Sequence, residues 1–344
     1  MTISHITYSD DFKERDFVQK ISKMWLEGQE TFELKTSGST GTPKLVELGR
    51  KLLIWSAEST KRALDKRSTL GKINDSDESI LCCIPVTKTG GFMQLIRALH
   101  FGWHIHFVDP SSNPLETISG VHHYDQTSLT PFQLENILDS HKDEIGQFKS
   151  ILIGGAAISL ELLEKIKAFN EKRTTQFWET YGMTETASHI ALKKIGYDKH
   201  FRPQSGVNLL LSENQLTIRI PELQFSIDTN DIARIHGDGF EIIGRADDVI
   251  NSGGIKIHPT IIEPKIKSVF SSASINRNFY ISSIPDKTYG QKVILVLEGE
   301  PLKNESFLLE AIKRELPSYH NPKSILYVDS INRTDTGKLI RKAY

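Results

Sequence analysis

The feature that most narrows the fold is a change of hydrophobic period that repeats along the first half of the chain. Short apolar runs occur at 31–36 (TFELKT), 79–85 (SILCCIP), 103–108 (WHIHFV) and 150–155 (SILIGG), with stretches of helical period near 50–66, 91–101, 131–141 and 158–172. Short continuous apolar runs suit strands buried on both faces, and the stretches between them suit covering helices. The alternation predicts an α/β fold, a mostly parallel sheet flanked by helices. A first helix is expected within 11–27, with Phe17, Ile21, Met24 and Trp25 on one face and Gly28 as its stop. From about 205 to 243 the pattern turns to a region of short strands (QLTIRI, FEIIG). Beyond it, helices near 259–270 and 304–315 and strands near 278–284, 290–298 and 324–329 read as a small α+β unit. The expected organisation is a large domain over 1–245, a junction at 246–247 and a small domain over 248–344.

Composition removes several classes of function. Lys+Arg is 42 and Asp+Glu is 43 in 344 residues, a net charge of −1, whereas a dedicated nucleic-acid binder needs a basic excess. The only cysteines, Cys82 and Cys83, are adjacent, which makes no disulfide scaffold and points to a reducing compartment. The first residues, MTISHITYSDDFKERDF, hold no apolar core of a signal peptide, and no apolar run approaches the ~18 residues of a membrane span. A cytoplasmic protein without a membrane or nucleic-acid partner is expected.

A run rich in glycine and hydroxyls, Thr36-Ser37-Gly38-Ser39-Thr40-Gly41-Thr42-Pro43-Lys44, follows the first expected strand. Gly38 and Gly41 allow backbone N–H groups to converge on an anion, the hydroxyls add donors and Lys44 adds a cation. The loop is not of the Walker type, which requires Gly before the Lys and Ser/Thr after it; here Pro43 and Leu45 stand there. The following LVEL also reads as strand, not helix. By itself the run reads equally well as a polar hairpin turn.

The run has companions, in order: Tyr181-Gly182-Met183-Thr184-Glu185-Thr186, Asp231 in DTNDIARI, Gly244-Arg245-Ala246-Asp247-Asp248, and Arg333-Thr334-Asp335-Thr336-Gly337-Lys338. As a set they resemble the adenylate-forming (AMP-binding) superfamily of acyl-CoA synthetases, adenylation domains and luciferases, over nearly the whole chain. The resemblance implies attack of a carboxylate on the α-phosphate of ATP with Mg²⁺, then transfer of the acyl group to CoA. It implies that Thr36, Ser37, Gly38, Ser39, Thr40, Gly41 and Lys44 hold pyrophosphate, Glu185 binds Mg²⁺, and Thr184 bonds the α-phosphate. Tyr181 would stack on adenine beside Gly155 and Ala156, Asp231 and Arg245 would hold the ribose, and Asp247 would be the hinge. Lys338 would bridge the acid and the α-phosphate, and Gly253 and Gly254 would line the path of the CoA thiol. Asn230 stands where the family usually has Gly, and Asn332 where it has Pro.

Segments at 85–99, 106–115, 130–138 and 180–194 look most like the short o-succinylbenzoate–CoA ligases of menaquinone biosynthesis. Most superfamily members carry a subdomain ahead of the phosphate loop, so the expectation is a short form, with apolar surface left for a homo-oligomer to cover. An aromatic diacid reacts at one carboxylate and needs a partner for the other. Candidates are Lys88, Arg97, Ser188 and His189, with Thr130 as a neutral donor. Lys88 and Arg97 read equally well as solvated helix charges. Adenylation of another acid, transfer to a carrier thiol, and a non-catalytic nucleotide-binding relative are the alternatives.

Overall fold

The computed structural model describes residues 5–35, 44–67, 78–118, 123–170, 174–332, 339–342 and 344. In chain order the first half contains β1 (Ile6–Tyr8), α1 (Arg15–Leu26), β2 (Thr31–Lys35), β3 (Leu45–Gly49), α2 (Arg50–Arg67), β4 (Ser79–Cys82), α3 (Thr89–Phe101) and β5 (His104–Phe107). Then follow β6 (Tyr124–Leu129), α4 (Pro131–Ser140), β7 (Phe148–Ile153), α5 (Leu160–Asn170), β8 (Gln176–Met183), β9 (Ser188–Lys194) and β10 (Arg202–Pro203). The second half contains β11 (Asn208–Ser212), β12 (Gln215–Ile220), β13 (Phe225–His236), β14 (Gly239–Arg245), β15 (Ile250–Ser252) and β16 (Ile255–Ile257). It ends with α6 (Pro259–Ser272), β17 (Phe279–Asp286), β18 (Gly290–Glu298), α7 (Glu305–Glu315) and β19 (Ile325–Val328).

The chain divides into two compact units, Met1–Asn208 with Ile220–Phe225, and Leu209–Arg219 with Ser226–Tyr344. In the first, an eight-stranded sheet runs in the order β1-β5-β4-β6-β7-β8-β9-β10. It is parallel from β1 to β8, and β9 and β10 add antiparallel. Three of the expected apolar runs, at 79–85, 103–108 and 150–155, are strands of this sheet, with Ile80, Leu81, Ile151 and Ile153 all buried; the fourth, at 31–36, is β2, which pairs antiparallel with β3 in a separate two-stranded sheet. On β5, toward the edge, Ile105 and Phe107 are buried while His104 is exposed and His106 half-buried, so the two imidazoles share a polar sheet face as the sequence suggests. The core face of α1 centres on Val18, Ile21, Ser22 and Trp25; Phe17 and Met24, expected on that face, lie at its margins, half-buried. β4 sits between β5 and β6, so the chain winds to one side of β4 and then to the other. In an open α/β sheet such a switch point leaves a crevice at the carboxyl ends of the strands, where ligands bind.

The second unit contains an antiparallel sheet β11-β12-β13-β14 and a sheet β16-β15-β18-β17 in which β19 pairs parallel with β18. Ile257, Ile266, Phe270, Ile281 and Leu295 form part of the core beneath α6 and α7. Arg341 ties the end of the chain to this unit through both carboxylate oxygens of Glu263, at 2.6 and 2.8 Å. The junction expected at 246–247 falls within this unit, on the 3-10 turn Ala246–Asp248 after β14.

Candidate active site

The crevice-side loops are built by short-range sequence choices. β2 and β3 pair antiparallel, so the 36–44 run joins two strands of a hairpin. Residues 36–43 lie outside the described residues; Lys44 is exposed at the foot of β3. β3 packs beside the turn Thr184–Thr186 and then gives way to α2, an arrangement unlike the strand–loop–helix of a Walker site.

Tyr181, Gly182 and Met183 belong to β8 itself, and Thr184–Thr186 form a single 3-10 turn into β9. The turn is shaped by Thr186, whose Oγ1 accepts from Met183 N at 3.1 Å and reaches Ser188 O at 2.6 Å, and by Ala187 in the left-handed region at φ 59°. Gly182 has a different reason for being glycine. A Cβ there would lie 2.1 Å from Ser188 O and 2.5 Å from the Cα of His189, so only a bare backbone lets the hairpin close. The Thr184 hydroxyl is held 2.7 Å from that of Thr89, the first residue of α3. Glu185 is half-buried, and among the described residues its carboxylate has no hydrogen-bond or ion-pair partner. A carboxylate without a partner among the described residues, on a turn beside the β2–β3 hairpin, suits Mg²⁺, a hard cation that takes oxygen ligands. Tyr181 is half-buried with the Phe201 ring 5.9 Å away, and Gly155 and Ala156 lie exposed after β7, Gly155 at φ +88°.

The four acyl-pocket candidates separate in the structure. Arg97, Ser188 and His189 come together where α2 and α3 pack on β9, and Thr60 of α2 joins them. Arg97 is 3% exposed, yet no carboxylate pairs with it among the described residues. Only its Nη2 finds partners, Thr60 Oγ1 at 3.5 Å and Ser188 Oγ at 3.4 Å, and its buried Nε has none. Burial without a counterion pulls the Arg97 pKa down to about 10. Burial, reinforced by the Arg97 charge, drives the His189 pKa well below its usual value, so the ring is neutral. Lys88 stands apart from this cluster at the N-cap of α3, half-buried and unpaired among the described residues. Thr130 is committed elsewhere: its hydroxyl closes a capping box with Gln133 at the start of α4.

In the second unit, Asp231 and Arg245 face each other across β13 and β14, with Oδ1 and Nη1 3.3 Å apart. Arg245 also forks onto Asp247 at 3.1 and 2.9 Å. Burial disfavours the Arg245 cation, but the bond to Asp247 and the charges of Asp247, Asp231 and Asp248 outweigh it and hold its pKa above the ordinary value. Gly253 and Gly254 form the turn between β15 and β16 with φ +60° and +82°. Two left-handed residues in a row are what a two-residue hairpin requires, so the turn accounts for both glycines. Lys338 lies outside the described residues.

Sequence reasoning passed over Thr60, Thr89 and Glu14. Glu14 accepts from Val86 N at 2.5 Å and Thr87 Oγ1 at 2.7 Å, fixing the loop that leads into α3. A Ser or Thr within a helix, or an acid ahead of one, carries no local signal of a contact made many residues away.

The family profile described as AMP-binding enzyme matches residues 34–219. This chain belongs to the AMP-binding enzyme family. It is thus an AMP-forming acid–thiol ligase. An acyl-CoA synthetase (AMP-forming)/AMP-acid ligase II-like protein from Dyadobacter fermentans is 32% identical, with TM-score 0.59 over 94% of this chain and 90% of that one. The 2-succinylbenzoate–CoA ligase of Listeria monocytogenes is 26% identical, and that of Staphylococcus aureus strain MSSA476 is 28% identical. The matches span 98% and 89% of this chain, but 74% and 65% of those proteins. The o-succinylbenzoate coenzyme A synthetase of Bacillus subtilis, solved with ATP and magnesium ion, shares the fold at TM-score 0.74 and 21% identity, over 90% of this chain and 68% of that one. Among the described residues no helix is long and apolar enough to cross a membrane.

Proposed function

We propose that this protein adenylates o-succinylbenzoate and transfers the acyl group to CoA, releasing pyrophosphate and AMP. The observation that carries the reading is Arg97: a buried guanidinium with no carboxylate partner among the described residues, a few residues in space from the turn that bears Glu185. A buried cation kept without an internal counterion suits a ligand that brings one, and a guanidinium matches a carboxylate in shape and charge. One carboxylate of the diacid would react while the other pairs with Arg97 beside Ser188 and His189. The names of the Listeria and Staphylococcus relatives support the same acid.

In this reading the 36–44 loop, including Lys44, holds the departing pyrophosphate and Thr184, steadied by Thr89, bonds the α-phosphate. Glu185 holds Mg²⁺, which offsets the charge of the phosphates. Tyr181, Gly155 and Ala156 accept the adenine, and Asp231 with Arg245 the ribose. Lys338 bridges acid and phosphate during adenylation, and the Gly253-Gly254 turn borders the thiol's path. Asp247 is the proposed hinge of the small domain. Cys82 and Cys83, both buried and unbridged, support a reducing compartment, the cytoplasm.

The test is acid-dependent ATP–pyrophosphate exchange across a panel of aromatic and aliphatic acids, followed by CoA addition. Exchange with o-succinylbenzoate above all others, and AMP as the nucleotide product, is expected. ADP as product, or best exchange with a monocarboxylic acid, would overturn the assignment.

A further inference from the structure

The polar atoms around Arg97 can be ordered by counting protons. Thr60 Oγ1 has one hydrogen and lies 2.8 Å from the carbonyl of Ser56, one helical turn back, the usual bond of a threonine inside a helix. That hydrogen is therefore spent. His189 Nε2 lies 2.9 Å from the same Oγ1, so Nε2 must carry the proton and donate it. The ring is neutral, so its Nδ1 is an acceptor, and Ser188 Oγ, 3.1 Å from Nδ1, must donate to it. Ser188 Oγ then has only lone pairs left to offer Arg97 Nη2 at 3.4 Å. The chain runs one way, from Arg97 through Ser188 and His189 to Thr60 and the backbone of α2.

We propose that Thr60 is a positioning residue for the acyl substrate: it fixes His189 as the Nε2–H tautomer, and so turns the Ser188 hydroxyl into an acceptor that, with its own, holds one edge of Arg97. Within this cluster of described residues, the remaining guanidinium N–H groups are the donors left without a partner. Such a pocket accepts a group that is purely an acceptor, an ionised carboxylate, and disfavours an alcohol or amide, whose own hydrogens would meet no lone pair on the guanidinium. The inference rests on the reading of Arg97 as the anchor for the second carboxylate, and it assigns to Thr60 a role that acts through His189 and Ser188.

Two variants and two readouts test it. Thr60→Val keeps the shape and removes the acceptor; Thr60→Ser keeps the acceptor. Nitrogen-15 NMR of labelled histidine in the full chain reads the His189 tautomer directly. Steady-state kinetics compare o-succinylbenzoate with 4-oxo-4-phenylbutanoate, the same acid without its ring carboxylate. Wild type and Thr60→Ser are expected to show the Nε2–H form, and Thr60→Val a shift toward Nδ1–H. The preference for the diacid should fall about 3- to 10-fold in Thr60→Val, the worth of one hydrogen bond, through KM more than kcat, and return in Thr60→Ser. An unchanged tautomer or an unchanged preference in Thr60→Val overturns the role of Thr60, as does failure of Thr60→Ser to restore the preference. If wild type itself shows no preference for the diacid, the assignment of Arg97 fails instead, and the tautomer measurement still decides the proton order.

Discussion

Arg97 and Glu185 are two charges of opposite sign that the fold leaves without an internal counterion among the described residues. They differ in burial, and the difference sets what each substitution does. Arg97 is nearly fully buried, so its cation is a cost to the folded state. Arg97→Met keeps much of the volume and removes the charge and the orphaned Nε; stability should rise by about 2 kcal/mol, since a buried unpaired charge is replaced by an apolar chain. The same variant should lose its preference for a diacid. Thermal unfolding alongside kinetics on mono- and dicarboxylic acids checks both, and a destabilised Arg97→Met that still prefers the diacid would remove Arg97 from the pocket. Glu185 is half-buried, and removing its charge breaks no bond among the described residues. Glu185→Gln should leave the melting temperature near wild type while adenylation falls about 10²–10³-fold, the cost of one preorganised electrostatic group. Pyrophosphate exchange titrated with Mg²⁺ reads this; full activity at ordinary Mg²⁺ would place the metal elsewhere.

At the scale of elements, the β8–β9 hairpin is the piece that turns sequence neighbours into site neighbours. Its closure depends on Gly182, and Gly182→Ala would drive a methyl into the backbone of Ser188 and His189. Backbone cannot yield as a side-chain tip can, so a loss of about 2–4 kcal/mol is expected, with diacid preference falling as Ser188 and His189 shift. Urea unfolding and the same substrate pair measure it. The opposite ends of the strands carry a different strain. Glu78, just before β4, is 1% exposed and takes a hydrogen bond from Gln126 at 2.9 Å, with Lys61 3.8 Å away. Burial, only partly offset by Lys61, pushes its pKa up to about 7. The unfolded value is about 4.3, so the folded state binds this proton more tightly, and the stability it lends is full at low pH and lost as pH rises through about 7. Glu78→Gln mimics the protonated form. It should match wild type near pH 3, below the unfolded value, and exceed it by about 3 kcal/mol at pH 8. Unfolding curves at the two pH values test the sign; a variant less stable than wild type at pH 8 would mean that the pair with Lys61 outweighs burial.

For the whole molecule, the proposed two-step chemistry asks Lys338 and the Gly253-Gly254 turn to act in turn on one intermediate. Lys338→Ala is expected to slow adenylation about 10²–10³-fold and to spare thioester formation from supplied acyl-adenylate. Asp247→Pro is expected to do the reverse, because it fixes φ at the proposed hinge and removes the carboxylate that Arg245 grips. Each half-reaction assayed alone separates them. Equal damage to both steps in Lys338→Ala, or intact thioester formation in Asp247→Pro, would refute a hinge at Asp247.

Periodicity by itself determined the class of fold. The runs at 79–85, 103–108 and 150–155 became β4, β5 and β7, and the helical stretches after each became α3, α4 and α5, because burial on two faces and burial on one stripe leave different periods in a sequence. Local chemistry likewise determined the strand after the 36–44 loop and the short-stranded region from 205 to 243. The turn at 184–186 and the glycine turn at 253–254 were legible for a related reason: each is a contiguous run whose turn geometry is built from its own residues. The proposed acyl pocket was not legible in this way. Arg97 and Lys88 look alike in sequence, each a cation on or beside one helix, and only packing of α2 and α3 on β9 buried the first and left the second half-exposed. Thr60 and His189 are 129 positions apart, and a hydrogen bond at that separation leaves no trace in either neighbourhood. Secondary structure answers to the chain nearby, whereas a pocket's charge and proton order answer to whatever the fold brings against it.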